Sequence, residues 1–432
     1  MPNSFDRRQF LEFGVSTGAV LGATGILHAE EKTVEKESAN NKIIVGLMGV
    51  NGRGSALAKG FMAQPNCEIA YVCDVDERAV EKATGLVAGT QSRKPQGVRD
   101  FRKILDDKSV DVLVCAAPNH WHAPATIMGC AAGKHVYVEK PACHNPREGE
   151  LAVEAARKNN RVVQLGTQRR SFPALREVKQ KIDDGEIGRV LFGRTWYNNR
   201  RESIGKGELV DVPSWLDYTL WQGPAPERPY KNNVVHYKWH WHWHWGNGEL
   251  GNNGIHCLDV ARWLMGAEYP TRVTSAGSKY RFDDDQETPD THMVAFDFGD
   301  KTITWEGLSW SPYGPGDSGF GMAVMGEKGS VLITDSTYKI FDMQKKEIAS
   351  GKGPGGDANH LANFLSCIRS GNRPHADIEE GHKSTLLCHL GNIAHRVNRV
   401  LTTDPKNGHI LNDNEAAALW SREYRKGWEP KV

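Results

Sequence analysis

The stretch IIVGLMGVNGRGSALAKGFMA, residues 43 to 63, constrains the fold more than any other. Its first half is a continuous apolar run of the kind buried on both faces of a parallel sheet, its second half reads as a helix, and glycines crowd the turn between them. Four later runs repeat the pattern: CEIAYVCDV, DVLVCAAP (111 to 118), HVYVEKP (135 to 141) and RVVQLGT (161 to 167), separated by helix-length segments such as HAPATIMGCAAG. Repeated strand-helix units call for a doubly wound parallel sheet, an α/β Rossmann architecture.

The turn itself carries chemistry. Gly49, Asn51, Gly52, Arg53 and Gly54 lie between strand and helix, and Asp74 ends the next strand. Glycines let the backbone approach a pyrophosphate at a helix N-terminus, and an acid at the second strand end receives ribose hydroxyls, so the segment predicts dinucleotide binding. Asn51 replaces the middle glycine of the fingerprint, and Asn tolerates positive φ best among the other residues, so the turn is expected to survive with Asn51 in that conformation. Asp74 would repel a 2′-phosphate, which favours NAD over NADP; Arg53 and Arg78 keep the second choice open. Pro118, Asn119, His120 and His122 follow a strand end, where such sheets hold ligands, and are expected to border the nicotinamide.

Beyond residue 168 the rhythm changes to alternating strands, RVLFGRTWYN, RVTSAGSKY, THMVAFDFG and KTITWEGLSW, with helices at CLDVARWLM and HLANFLSCIRS. This predicts an α+β domain with a large, mainly antiparallel sheet. The expected organisation is a leader at 1–29, a linker at 30–41, a Rossmann domain at 42–167 and a substrate domain at 168–432. The leader rests on Arg7-Arg8-Gln9-Phe10-Leu11, an Ala/Gly/Val-rich run and Leu27-His28-Ala29, the order of a positive n-region, an apolar h-region and a small-residue cleavage site. It resembles a twin-arginine export signal, which implies the twin-arginine machinery as a partner and a periplasmic or otherwise exported location. Export of an already folded chain fits a protein that must load a cytoplasmic cofactor.

Composition narrows the partners. The 54 basic residues against 53 acidic ones leave a formal charge of +1, which gives no footprint for nucleic acid or an anionic membrane. The 8 cysteines are scattered without a CxxC pair, so neither structural zinc nor a disulfide framework is expected. No second apolar run is long enough to span a membrane.

Glu139-Lys140-Pro141 closes AAPNHWHAPATIMGCAAGKHVYVEKP, and a strand ending in EKP after a Rossmann half resembles the Gfo/Idh/MocA family of sugar and cyclitol oxidoreductases. GELGNNGIHCLD, residues 248 to 259, is similar to the family's second motif, in which an aspartate and a histidine four residues later flank the reacting carbon. The resemblance implies that Lys140 is the catalytic lysine, with Glu139 beside the cofactor, and that His256 is the motif histidine. Asn252 stands where the family has aspartate, and an amide orients a hydroxyl but cannot take its proton. Proton transfer is therefore assigned to Lys140 and His256. A homo-oligomer is implied by the resemblance alone.

HYKWHWHWHWGNG, residues 236 to 248, alternates indole and imidazole. On an extended chain His240, His242 and His244 would share one face, spaced too widely to close on one metal ion without a carboxylate, so no metal is assigned. The expected role is a pocket wall, indoles stacking on sugar rings and imidazoles bonding hydroxyls. Gln168, Arg169, Trp196, Asn199 and Arg200 are further substrate candidates, the arginines for an anionic group.

The sequence thus predicts an NAD-dependent oxidoreductase that moves hydride between a ring hydroxyl of a sugar, glycoside or cyclitol and a tightly retained cofactor. The alternatives are an NAD-dependent glycoside hydrolase working by transient oxidation and elimination, and a nucleotide- and sugar-binding protein without turnover.

Overall fold

The structure, a computed structural model, describes residues 42–432; the expected leader and linker lie outside the described residues. The first half alternates β1 (Ile43–Met48), α1 (Arg53–Met62), β2 (Cys67–Cys73), α2 (Glu77–Ala88), β3 (Gln96–Val98), α3 (Arg102–Asp106), β4 (Val112–Cys115), α4 (Asn119–Ala131), β5 (His135–Val138), α5 (Pro146–Lys158) and β6 (Val163–Leu165). The six strands form a parallel sheet in the order β3-β2-β1-β4-β5-β6. The order reverses between β1 and β4, and a crevice opens beyond the carboxyl ends of those strands. Strand β1 is apolar on both faces because both are covered, which is why it reads as an unbroken run.

The second half contributes α6 (Pro173–Asp183), β7 (Val190–Asn198), α7 (Tyr218–Gln222), α8 (Ile255–Leu264), β8 (Arg272–Ser278), β9 (Thr291–Asp297), β10 (Thr302–Leu308), β11 (Phe320–Gly326), β12 (Gly329–Thr334), β13 (Thr337–Asp342), β14 (Glu347–Lys352), α9 (Ala358–Ser370), α10 (Ile378–Val397), β15 (Leu401–Thr402) and α11 (Asn414–Ala418). Its nine strands run β14-β13-β12-β11-β7-β10-β9-β8-β15, antiparallel throughout except that β7 and β10 lie parallel. Alternation along β9 and β10 puts Val294, Phe296, Ile303 and Trp305 on the buried face, against Leu258, Ala261 and Leu264 of α8 and Leu386, Leu390 and Ile393 of α10.

The chain also returns to its first half. Leu361, Phe364 and Leu365 of α9 complete the core on the β1 side of the parallel sheet, with Phe61 and Tyr137 edge-on to Phe364. Burying these large apolar side chains contributes about 1.5–3 kcal/mol each. Among the described residues no helix is long and apolar enough to cross a membrane.

Candidate active site

A cleft of about 600 Å³ lies over the β1–β4 switch point. At its floor Gly49 has φ +82°, and a Cβ there would come within 2.6 Å of the Ala117 nitrogen. A Cβ on Gly54 would lie 1.8 Å from the Gly49 carbonyl oxygen, so the first turn of α1 can pack onto the loop only with glycine. At Gly52 a Cβ would meet nothing within 4 Å, so the space ahead of the helix is open, and no side chain caps the first turn of α1. Open space in front of uncapped N–H groups fits a pyrophosphate. The expected positive φ at Asn51 is not found; Gly49 makes the left-handed turn two residues earlier, and Asn51 lines the cleft with an ordinary backbone.

Asp74 lines the cleft, and its carboxylate accepts the Val50 N–H at 2.8 Å and the Asp76 N–H at 3.0 Å. Burial raises its pKa against those two bonds. Arg53 does not remain free for a phosphate. It donates to Glu139 at 2.7 Å and, through both terminal nitrogens, to Asp357 at 2.7 Å. Burial opposes its charge, but Glu139 and Asp357 outweigh that and hold its pKa above the usual range. Arg78 is likewise committed, paired with Asp76 at 2.8 Å and lying 3.5 Å over the Trp215 ring.

Lys140 follows β5 and extends toward the start of α8. Its ammonium donates to both oxygens of Asn252, the carbonyl at 2.6 Å and the side-chain amide oxygen at 2.9 Å. Residues Leu250–Gly254 form a π-helical turn ahead of α8, a widened geometry frequent at functional sites, and it presents both oxygens at once. Burial lowers the Lys140 pKa, opposed by the more distant charges of Glu139 and Glu249. His256, one turn on, lines the same cleft and makes no side-chain hydrogen bond among the described residues. Burial, with Lys140 nearby, holds its pKa well below the usual range, so it is neutral.

Glu139 receives Arg53, and the absence of a side chain on Gly166 leaves room for its carboxylate. Pro118, Asn119 and Gln168 line the cleft, and the amide of Asn119 donates to Asn247. His122 borders the cleft, but both ring nitrogens face backbone, the Pro141 carbonyl at 2.6 Å and the Ala117 carbonyl at 2.7 Å. It holds the Lys140–Pro141 segment against the end of β4 and has no nitrogen left for a ligand.

The histidine strip departs most from expectation. It is not extended: Lys238–Trp241 is a 3-10 turn, so the alternation does not sort rings onto two faces. Trp239, Trp241 and Trp245 are buried, and burying them forces the fold of the strip. His240 stacks on Trp239, ring centroids 3.6 Å apart, and faces the cleft. Its Nδ1 donates to the Tyr237 carbonyl at 2.5 Å, which leaves Nε2 as an acceptor. His242 is buried beside Glu287, and His244 bonds the Pro226 carbonyl; both point away from the cleft. Three further substrate candidates are also displaced. Trp196 is fully buried, its indole N–H on the Ser318 carbonyl. Arg169 lies 4.4 Å over Phe320 and donates to the Asp335 carbonyl, and Arg200 is exposed outside the cleft. Among the described residues no group of three or more His, Cys, Asp or Glu is placed to hold a metal ion.

The oxidoreductase-family description "NAD-binding Rossmann fold" matches residues 43–167, and "C-terminal alpha/beta domain" of the same Gfo/Idh/MocA family matches residues 174–430. The chain belongs to the Gfo/Idh/MocA oxidoreductase family. It is 25% identical to a scyllo-inositol 2-dehydrogenase (NAD(+)) of Bacillus subtilis (strain 168), over 77% of this chain and 88% of that protein. It is 27% identical to a levoglucosan dehydrogenase of Pseudarthrobacter phenanthrenivorans, over 51% of each chain. It is 32% identical to a glycosyl hydrolase family 109 protein of Saccharopolyspora erythraea, over 45% of this chain and 46% of that one. The match thus spans about half the length of these last two relatives. The fold is that of levoglucosan dehydrogenase in complex with NADH and levoglucosan, with TM-score 0.67 at 18% identity over 84% of this chain and 99% of that one.

Sequence reasoning missed most of the segment that roofs this Gfo/Idh/MocA cleft; only its end, from His236 to Trp241, reads as a pocket wall in the sequence. Residues 213 to 241 run from the second domain back over the Rossmann half. Leu216 forms a β-bridge with Asp76, the Asp217 N–H donates to the Val75 carbonyl, and His236 pairs with Asp76 at 2.9 Å. Trp121 and His120 both bond the Trp221 carbonyl, and Trp221, Tyr237 and Trp239 form an aromatic wall. The density of Trp and Tyr between 215 and 230 was the available signal, but it named no partner.

Proposed function

We propose that the protein is an NAD-dependent oxidoreductase acting on a ring hydroxyl of a sugar, glycoside or cyclitol. The observation that carries the proposal is the convergence of Lys140, His256 and His240 on one cleft, beside the pyrophosphate cradle and under an aromatic wall. Gly49, Gly52 and Gly54 would hold the cofactor's phosphates, and Asp74 with Asn119 would border its two ends. NAD, when bound, supplies the hydride acceptor. Lys140, once deprotonated, takes the hydroxyl proton, and the ammonium that results donates to the two oxygens of Asn252. Neutral His256 and the free Nε2 of His240 accept hydrogen bonds from ring hydroxyls and fix the reacting carbon. Trp239 and Trp221 cover an apolar ring face and exclude water.

The roof of residues 213 to 241 supports a cofactor that stays on the enzyme. Retention in turn fits the export signal read at residues 1–29, since a folded chain would leave the cytoplasm already loaded. The boundaries proposed for the mature protein are 42–167 for the cofactor domain and 168–432 for the substrate domain.

A second reading, net glycoside hydrolysis with return of the hydride, is favoured by the family 109 relative and by Asn252, whose amide replaces a carboxylate at the proton-transfer site. One experiment separates them. Natively purified protein is denatured and its nucleotide identified by mass spectrometry, while an intact portion is incubated with sugars, cyclitols and aryl glycosides and the NADH band is followed. NAD released and a rising band support the oxidoreductase; a flat band with free aglycone supports hydrolysis. No nucleotide and weak NAD binding would overturn both.

A further inference from the structure

A second cavity, of about 450 Å³, lies on the other side of the histidine strip. Trp239 and His240 face the catalytic cleft, whereas Trp243 and His244 line this one, so the strip is a partition between two chambers. Part of the separating wall is the amide pair Asn119–Asn247. Asn247 also donates to the His144 carbonyl at 2.9 Å, and its own carbonyl receives the amide of Asn392, another lining residue.

Three guanidinium groups reach the second cavity: Arg228, Arg396 and Arg422. Arg396 makes no ion pair and no hydrogen bond among the described residues, and its guanidinium carbon lies 5.4 Å from the centroid of the Trp243 ring. Arg422 is largely enclosed, and Nη1 donates to His144 Nδ1 at 3.1 Å and to the His244 carbonyl at 3.0 Å, which leaves Nη2 uncommitted. Arg228 approaches Glu287 only to 3.9 Å, and that carboxylate already accepts the Trp243 N–H at 2.7 Å. Of the two carboxylates on the rim, Glu227 is paired with Arg425 outside the cavity at 3.2 Å, and Glu423 is exposed. Uncommitted guanidinium donors around a concave, partly aromatic chamber are the usual means of holding a planar or tetrahedral oxyanion.

We propose that this cavity is an accessory site for a small oxyanion, a carboxylate or phosphoryl group on a polar metabolite, held by Arg396 and Arg422 with Arg228 at the rim. Its occupant would touch Asn247 and Asn392 and so bear on Asn119 in the catalytic cleft.

The test is isothermal titration calorimetry on the full chain with glucuronate, inorganic phosphate and glucose as probes. Saturable binding of at least one of the two anions, at least tenfold weaker in Arg396→Gln and in Arg228→Gln, is expected, while any heat from glucose, which would come from the catalytic cleft, should be the same in the parent and both variants. Arg272→Gln, at an exposed ion pair with Asp297 on β8, should leave binding unchanged. Glucuronate alone would identify a sugar acid as the source, and phosphate alone a phosphoryl group; either supports the site. No saturable binding of either anion, or the same affinity in Arg396→Gln as in the parent, would overturn it. The readout is heat of binding and not turnover, so its failure leaves the oxidoreductase reading untouched.

Discussion

Asn252→Asp restores a carboxylate where the family motif has one, and the structure sets the size of the effect. The side-chain oxygen lies 2.9 Å from the Lys140 ammonium. A full charge there would attract the ammonium by about 6 kcal/mol at an effective dielectric constant of about 20, before the carboxylate's own burial is charged against it. A charge-assisted hydrogen bond in such a setting retains about 1.5–3 kcal/mol. At about 1.4 kcal/mol per pH unit this raises the Lys140 pKa by roughly one to two units. The native asparagine therefore keeps the lysine lower, because burial disfavours the ammonium and an amide compensates less than a carboxylate would. The assay is competitive acetylation of Lys140 with acetic anhydride, followed by peptide mass spectrometry across pH. Reactivity should rise with pH as the amine deprotonates, with the variant's curve displaced upward by one to two units. The acidic limb of kcat/KM should move with it. Coincident curves, or a downward displacement, would refute the assignment of Asn252 as the group that tunes Lys140.

Four further outcomes follow from the structure. Gly54→Ala forces a Cβ to 1.8 Å from the Gly49 carbonyl and should weaken NAD binding by at least about tenfold in calorimetry; Gly52→Ala, with nothing within 4 Å, should leave the melting temperature unchanged while still weakening NAD through intrusion into the phosphate space. Trp196→Ala should cost about 3–5 kcal/mol in denaturant unfolding, because it empties a core site and not a substrate pocket. The fold buries neutral histidines, with His120 and His389 lowered by burial to about 3 and His360 to about 4. Below about pH 6.5 the unfolded chain binds protons that the folded chain refuses, so stability is complete above that value and is lost as pH falls toward the folded pKa values. Circular dichroism should show cooperative acid unfolding between about pH 6 and 4, and a native spectrum at pH 3 would contradict this reading.

The Rossmann half was legible because its strands are covered on both faces, which leaves apolar runs that polar surface cannot interrupt. Strand β3 was not, since Gln96–Val98 is a short edge strand with little buried surface. The strands β7 to β10 showed in their alternation, but β11 to β14 did not, nor did α10, whose twenty residues are buried almost all round and lack a polar stripe. In the site, motif spacing placed Lys140, Asn252, His256 and the glycine turn together. It failed where side chains are assigned by burial. Period-two alternation suggested a strand at the strip, but Trp239, Trp241 and Trp245 gain more by entering the core, and the chain curls to let them. Trp196 and Arg169 were assigned to substrate as ring and charge without their neighbours, which turn out to be the Ser318 carbonyl and Phe320. Commitments such as Arg53 to Asp357 span too much sequence for local pattern to reveal.

The most direct measurement is a single-turnover experiment on NAD-loaded protein mixed with a sugar or cyclitol from the responsive panel, with the NADH band followed in the parent and in Lys140→Met. The expected result is a burst approaching one NADH per bound cofactor in the parent, slowed by roughly 10²–10⁴-fold in the variant, the range for loss of a general base. A flat band across the panel with NAD bound, or a burst in Lys140→Met as fast as in the parent, would contradict hydride transfer assisted by this lysine.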